Sequence, residues 1–186
     1  MSRVLVYGGT FDPPHLGHTV LSQQAMKQQE CDKVVFVIAA KNPLKDTEKL
    51  TVAKHRLAML KLALAGLPWA EISTIELERG GTSYTIDTLE AFAKMNPVET
   101  KLTLLIGADQ AESFRQWHRT DDIEALANIV VLSREGSCCS GFETLPSQTM
   151  PISSTSIRAC VAEGSEITGF VNPLVAAYIA EHGLYK

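Results

Sequence analysis

"RVLVYGGTFDPPHLGH", residues 3–18, joins a short β-branched apolar run to a turn holding two adjacent glycines, two adjacent prolines and two histidines three positions apart. The run at Val4, Leu5 and Val6 is short and continuously apolar, the pattern of a strand buried on both faces. Glycines directly behind such a strand permit backbone angles that other residues avoid and let a ligand come close. Pro13 and Pro14 stiffen the chain on their C-terminal side and push the residues before them toward extended conformations. His15 and His18 then fall on one face if the chain has become helical. A helix start carrying imidazoles and unpaired N–H groups suits an anion such as a phosphate.

Outward from this turn, apolar runs alternate with helical patterns. "KVVFVIAA" from Lys33, "AEISTIELE" from Ala70, "KLTLLIG" from Lys101 and "NIVVLS" from Asn128 read as further strands. "HTVLSQQAMKQQ" has helical composition, and "TVAKHRLAMLKLALAGL" predicts a helix capped by Thr51 and ending near Gly66. "SYTIDTLEAFAKM" predicts a helix from about Thr85 with Asp87 in its first turn, and a polar helical region spans residues 111–127. This alternation predicts an α/β fold: an open, Rossmann-like parallel sheet with helices on both faces. From Pro151 two helical stretches, "STSIRACVAEG" and "NPLVAAYIAEHG", follow without an obvious strand. Residues 1–186 are therefore read as one domain, with 151–186 a small helical C-terminal subdomain and 133–148 a long mobile loop.

Composition removes several function classes. With 20% charged residues, 45% hydrophobic ones and a formal net charge of −4, bulk charge recommends neither nucleic acid nor an acidic membrane surface as partner. No stretch approaches the ~18 apolar residues of a bilayer span, and the opening apolar run is too short for a secretory leader. The four cysteines, at 31, 138, 139 and 160, fit neither a CxxC metal site nor a disulfide framework. They read as reduced thiols of a cytoplasmic protein. His15 and His18 alone are half a zinc site, and the other histidines, at 55, 118 and 182, are scattered, so no metal site is expected.

"GGTFDPPHLGH" resembles the (T/H)xGH signature of the nucleotidyltransferase superfamily. "ISSTSIR" from Ile152 resembles that superfamily's second signature, IS-x-T-x-x-R. Two middle segments are more specific: "ERGGTSYTIDTL" from Glu78 is similar to R-x-x-x-S-Y-T-x-x-T-L, and "IGADQAESFRQWHR" from Ile106 to G-x-D-x(4)-F-x-x-W. Together with "VLSREG" from Val131, they resemble the bacterial nicotinate-mononucleotide adenylyltransferases over almost the whole chain.

The resemblance implies adenylyl transfer from ATP to nicotinate mononucleotide, with pyrophosphate released and no protein nucleophile. Catalysis falls to His15, His18, Lys45 and Arg158, which neutralise charge on the triphosphate. ATP is implied to lie against Gly9, Thr10, Phe11, His15, His18, Lys45, Gly107, Asp109, Ser153, Ser154, Thr155 and Arg158. The mononucleotide is implied to lie against Gly8, Gly9, Tyr84, Thr85, Thr88, Asp109, Trp117 and Arg134. In the family's pattern Trp117 stacks on the pyridine ring and Asp109 accepts ribose hydroxyls. Read without the resemblance, Trp117 is equally a core anchor, Asp109 a helix cap, and "SST" an ordinary N-cap before a surface arginine. Magnesium is expected to travel with the ATP phosphates, and no tightly bound organic cofactor is expected.

One departure is visible. The family's second phosphate-side loop commonly carries a histidine where this chain has Leu44, in "AAKNPLKD"; Lys45 remains and Lys41 could partly compensate. The partners read from the sequence are thus two small molecules, with no nucleic acid and no membrane, and a homo-oligomer is left open. The alternatives are the same chemistry on nicotinamide mononucleotide or another phosphorylated acceptor, and a nucleotide sensor without activity.

Overall fold

Successive strand residues point to opposite sides of a sheet, so a continuous apolar run is stable only where both sides are covered. In the computed structural model, which describes residues 2–41, 50–95, 99–132, 141–145 and 152–186, this is the situation of β1 (Arg3–Gly9). β1 pairs in parallel with β2 (Lys33–Ile38) on one side and β4 (Lys101–Gly107) on the other. With β3 (Ala70–Ser73), β5 (Ala127–Leu132) and β6 (Glu143–Leu145), they form a six-stranded parallel sheet in the order β3-β2-β1-β4-β5-β6. The order reverses between β1 and β4. Beyond the carboxyl ends of those two strands lies the crevice in which open α/β sheets hold ligands.

One face buries Val4, Val6, Val35, Leu104, Ile106 and Val131 against Ile86, Leu89 and Phe92 of α4 (Thr85–Met95) and Ile123 of α6 (Thr120–Leu126). The other buries Leu5, Phe36, Ile38, Leu105 and Val130 against Ala25 of α1 (Leu16–Gln28) and Leu60 and Leu64 at the end of α2 (Ala53–Ala63). Met59 and Ala63 of α2 face away from the sheet. They meet Ile157 of α7 (Ser154–Ala162) and Val175 and Ile179 of α8 (Pro173–Glu181). Helix α2 is therefore the shared wall between the sheet and the two C-terminal helices.

The structure corrects four local expectations. The alternation in "AEISTIELE" is a strand only as far as Ser73; Ile75–Arg79 form a short helix, α3, with Glu76 and Glu78 in its first turn, where carboxylates complement the helix dipole. Thr51 does not cap α2. Val52 occupies the N-cap position, and Thr51 instead donates its N–H to Asp12 and offers its carbonyl to Arg56. The expected helical region at 111–127 is broken into α5 (Ala108–Glu112), a 3-10 turn at Phe114–Gln116 and α6, with Arg119 left-handed between the last two. Inside the span read as a loop, Glu143–Leu145 extend the sheet as β6. Lys45, Leu44, Arg134 and the Cys138–Cys139 pair lie outside the described residues, as does most of the 133–148 segment.

Candidate active site

Two glycines at the turn after β1 stand close against aromatic rings, and a third faces open space. A Cβ on Gly9 would stand 2.8 Å from the Phe11 ring, and one on Gly17 would stand 3.0 Å from His15 Nδ1. Around Gly8 nothing lies within 4 Å of a Cβ position, which leaves room for a ligand beside the strand end. Phe11 is buried and sits at φ 51°, a conformation that side-chain-bearing residues reach only when their surroundings impose it. Its ring meets Tyr7 and Phe36 and lies edge-to-face with the His18 ring, centroids 5.1 Å apart.

His15 takes the N-cap position of α1 and His18 lies in its first turn, their rings stacked with centroids 3.6 Å apart. The His15 backbone N–H donates to His18 Nδ1 at 3.0 Å. That bond assigns the His18 proton to Nε2, which makes this nitrogen a donor. Burial lowers the His15 pKa to about 4, so its ring is neutral near pH 7. The expectation that both imidazoles bring positive charge is amended accordingly: His15 can offer a hydrogen bond, not a charge. Its Nδ1 is buried and has no hydrogen-bond partner among the described residues.

The second signature is docked on the first. Ser153 caps α7, its hydroxyl accepting from the Ser156 N–H at 3.0 Å while the Ser156 hydroxyl accepts from the Ser153 N–H at 3.1 Å. Ser154 Oγ then donates to the Pro13 carbonyl at 2.9 Å, and Arg158 Nη1 to the Asp12 carbonyl at 2.8 Å. Arg158 Nη2 lies 3.3 Å from Thr155 Oγ1. The imidazoles, the α7 N-terminus and the guanidinium thus come to one mouth of the sheet, although more than 140 residues separate the two segments.

Three residues of this region escaped the sequence reading. Asp12, 4% exposed, accepts from the Tyr185 hydroxyl at 2.6 Å and from the Thr51 N–H at 3.1 Å. Arg56, 1% exposed, donates from Nη1 to the carbonyls of Thr10 and Ala39 and from Nε to that of Thr51, each at 2.9 Å. Burial holds its pKa down, while the Asp12 carboxylate acts in the opposite sense. A signal for Arg56 did exist: it stands at helical spacing with Met59, Leu60 and Ala63, a cation on an otherwise apolar face. Asp12 lies inside the opening motif itself. Tyr185 carried no signal.

The far wall follows β4. Gly107 is the N-cap of α5, its N–H bonded to Gln110 Oε1 at 3.1 Å, and Asp109 sits in the first turn. Trp117 is half-buried against Phe114, ring centroids 5.4 Å apart, and its Nε1 is buried without a partner among the described residues. Tyr84 is exposed and lies 4.7 Å from the His118 ring, with Thr85 opening α4 beside it. Thr88 is 2% exposed. Its hydroxyl donates to Glu76 Oε1 at 2.8 Å and accepts from Arg79 Nη2 at 3.4 Å. Burial raises the Glu76 pKa, against hydrogen bonds from Ser83 and Thr88. The Ser83 hydroxyl in turn accepts from the N–H groups of Ala40 and Lys41, and the Ser83 N–H donates to the Lys41 carbonyl. Arg79, Ser83 and Thr88 are therefore spaced as they are because one buried carboxylate gathers them.

Among the described residues no group of three or more His, Cys, Asp or Glu side chains is placed to hold a metal ion. No helix there is long and apolar enough to cross a membrane.

The model of the cytidylyltransferase-like family matches residues 6–160. A "probable nicotinate-nucleotide adenylyltransferase" of Gemmatimonas aurantiaca is 36% identical over 99% of this chain and 92% of its own. One of Geobacillus thermodenitrificans is 37% identical over 100% and 87%. Among solved structures, Plasmodium falciparum nicotinic acid mononucleotide adenylyltransferase complexed with NaAD superposes with a TM-score of 0.80 at 18% identity, covering 100% of this chain and 98% of that one. At that identity the likeness is one of fold.

Proposed function

The chain belongs to the nicotinate-nucleotide adenylyltransferases of the cytidylyltransferase-like family, and on that premise we propose how its crevice performs the reaction. It is an adenylyltransferase: ATP and nicotinate mononucleotide give the deamido dinucleotide and pyrophosphate. A phosphate oxygen of the mononucleotide attacks the α-phosphorus of ATP in line, the bond to the bridging oxygen breaks, and pyrophosphate leaves with the electron pair. No residue need form a covalent bond. The protein supplies position and a field for the charge that builds on the leaving phosphates.

The observation that carries this reading is the docking of Ser154 and Arg158 on the Asp12–Pro13 backbone, which puts two sets of anion-binding groups at one strand end. His18 donates from Nε2 to the phosphates, with neutral His15 stacked beside it. The Ser153-capped start of α7 contributes N–H groups, and Arg158 contributes charge. Lys45 is proposed as a further contact to the triphosphate. Across the crevice, Trp117 offers its ring to the pyridinium and Asp109 its carboxylate to ribose hydroxyls. Magnesium is proposed to arrive with ATP as part of that substrate. The setting proposed is the cytoplasm.

The test is pyrophosphate release by the purified protein given ATP and, one at a time, nicotinate mononucleotide, nicotinamide mononucleotide, phosphopantetheine and glycerol phosphate. Release is expected with the first above all others. Release with none of them, or preferentially with one of the last two, overturns the assignment. His18→Ala is expected to lower kcat by about 10²-fold with little change in melting temperature.

A further inference from the structure

Five hydrogen bonds converge on the short turn Thr10–Pro14, and only some of their donors belong to the signatures. Arg56 holds the Thr10 carbonyl, Arg158 that of Asp12 and Ser154 that of Pro13. The two remaining bonds end on the Asp12 carboxylate, from the Thr51 N–H and the Tyr185 hydroxyl. At the centre of this turn is Phe11, left-handed at φ 51° with its ring against His18. A side chain in that conformation returns to an ordinary one unless its neighbours prevent it. Releasing one clamp therefore reaches the imidazoles through a single ring contact.

We propose that Tyr185 is a positioning residue for adenylyl transfer: its hydroxyl, acting through the Asp12 carboxylate, holds the Thr10–Pro14 turn in the shape that sets His15 and His18 at the phosphates. The inference rests on the reaction assigned to the crevice. At 2.6 Å, Tyr185 makes the shorter of the two bonds to this buried carboxylate, and a charge-assisted bond of that length is a strong one. Burial, and then Asp12 itself, push the phenol pKa far above its ordinary value, so the hydroxyl remains a donor across the working pH range. The ring packs with the α2, α7 and α8 cluster, and a phenylalanine can keep that seat.

The experiment compares Tyr185→Phe with Tyr178→Phe. Tyr178 also gives up one hydroxyl contact, to His55 Nδ1 at 2.9 Å, and packs against the same cluster, but it does not touch the turn. Steady-state kinetics and imidazole NMR are read for each. Tyr185→Phe is expected to lower kcat about tenfold with both KM values within about twofold, and to move the His15 and His18 signals while leaving His118 in place. Tyr178→Phe is expected to hold kcat within about twofold. Unchanged kcat and unmoved His15 and His18 signals in Tyr185→Phe overturn the proposal. So does an equal loss of kcat in both variants, and so does failure of Tyr185→Phe to fold. Should the parent protein release no pyrophosphate, the reaction assignment fails by itself, and the NMR comparison still reads whether Tyr185 positions the histidines.

Discussion

Replacing Arg56 with methionine tests whether the turn after β1 is held by geometry or by bulk. Arg56 is 1% exposed and donates to three main-chain carbonyls, those of Thr51, Thr10 and Ala39. Methionine fills similar volume but leaves all three acceptors without that donor. Each unsatisfied buried acceptor costs about 1–3 kcal/mol. The apolar side chain recovers about 2 kcal/mol of burial, and the desolvation of a guanidinium is no longer required. The net expectation is a loss of about 3 kcal/mol, which for a chain of this length lowers the melting temperature by about 6–12 °C. Arg56→Lys separates charge from fork: one ammonium retains the charge but cannot reach three carbonyls from the positions of Nε and Nη1, so it is expected to fall between the two. Calorimetry and urea unfolding read the stability, and kcat is read well below the transition. A methionine variant melting within about 2 °C of the parent, with unchanged kcat, would show that these bonds are not what hold the turn.

Three further expectations concern the site itself. Gly17→Ala puts a methyl group 3.0 Å from His15 Nδ1, so the stacked histidines must shift by a few tenths of an ångström; kcat is expected to fall about tenfold while circular dichroism stays unchanged. Because burial lowers His15 from 6.5 to about 4, the unfolded chain takes up a proton in that window that the folded chain refuses. Stability therefore falls as the pH drops from 6.5 towards 4, by at most about 3 kcal/mol, and urea midpoints at pH 7 and 4.5 should show this slope lessened in His15→Gln. Trp117→Ala should raise KM for the mononucleotide about tenfold and leave that for ATP within about twofold; equal losses would mark Trp117 as a packing residue.

How much of this was legible depends on where the information resides. The strands β1, β2, β4 and β5 could be read because burial on both faces forces a continuous apolar run. Residues 70–78 misled because a few alternating Ile and Glu residues satisfy both periods, and only the packing of Glu76 decides for the helix. β6 is three residues long, paired on one side only, and too short to show a period. In the site, His15, His18, Ser154 and Arg158 were visible as motifs, since their chemistry requires fixed local spacing. Tyr185 was not: its partner lies 173 residues away, and no local pattern encodes such a contact, while Arg56 showed only as a cation on an apolar helix face, which does not tell that it reaches Thr10, 46 residues away. Thr88 was visible as a motif residue, but its burial and its bond to Glu76 were not, because a motif does not report which way a residue faces.

The bridges from Ser154 to Pro13 and from Arg158 to Asp12 join nearly opposite ends of the chain. All six strands of the described sheet are encoded by residue 145, and the donors proposed to complete the phosphate end come afterwards. As the chain leaves the ribosome, the sheet can close while its ligand-binding mouth still lacks one jaw. If the proposed site is right, nucleotide binding is a property that the molecule acquires last, and the first that a cut between sheet and α7 would remove.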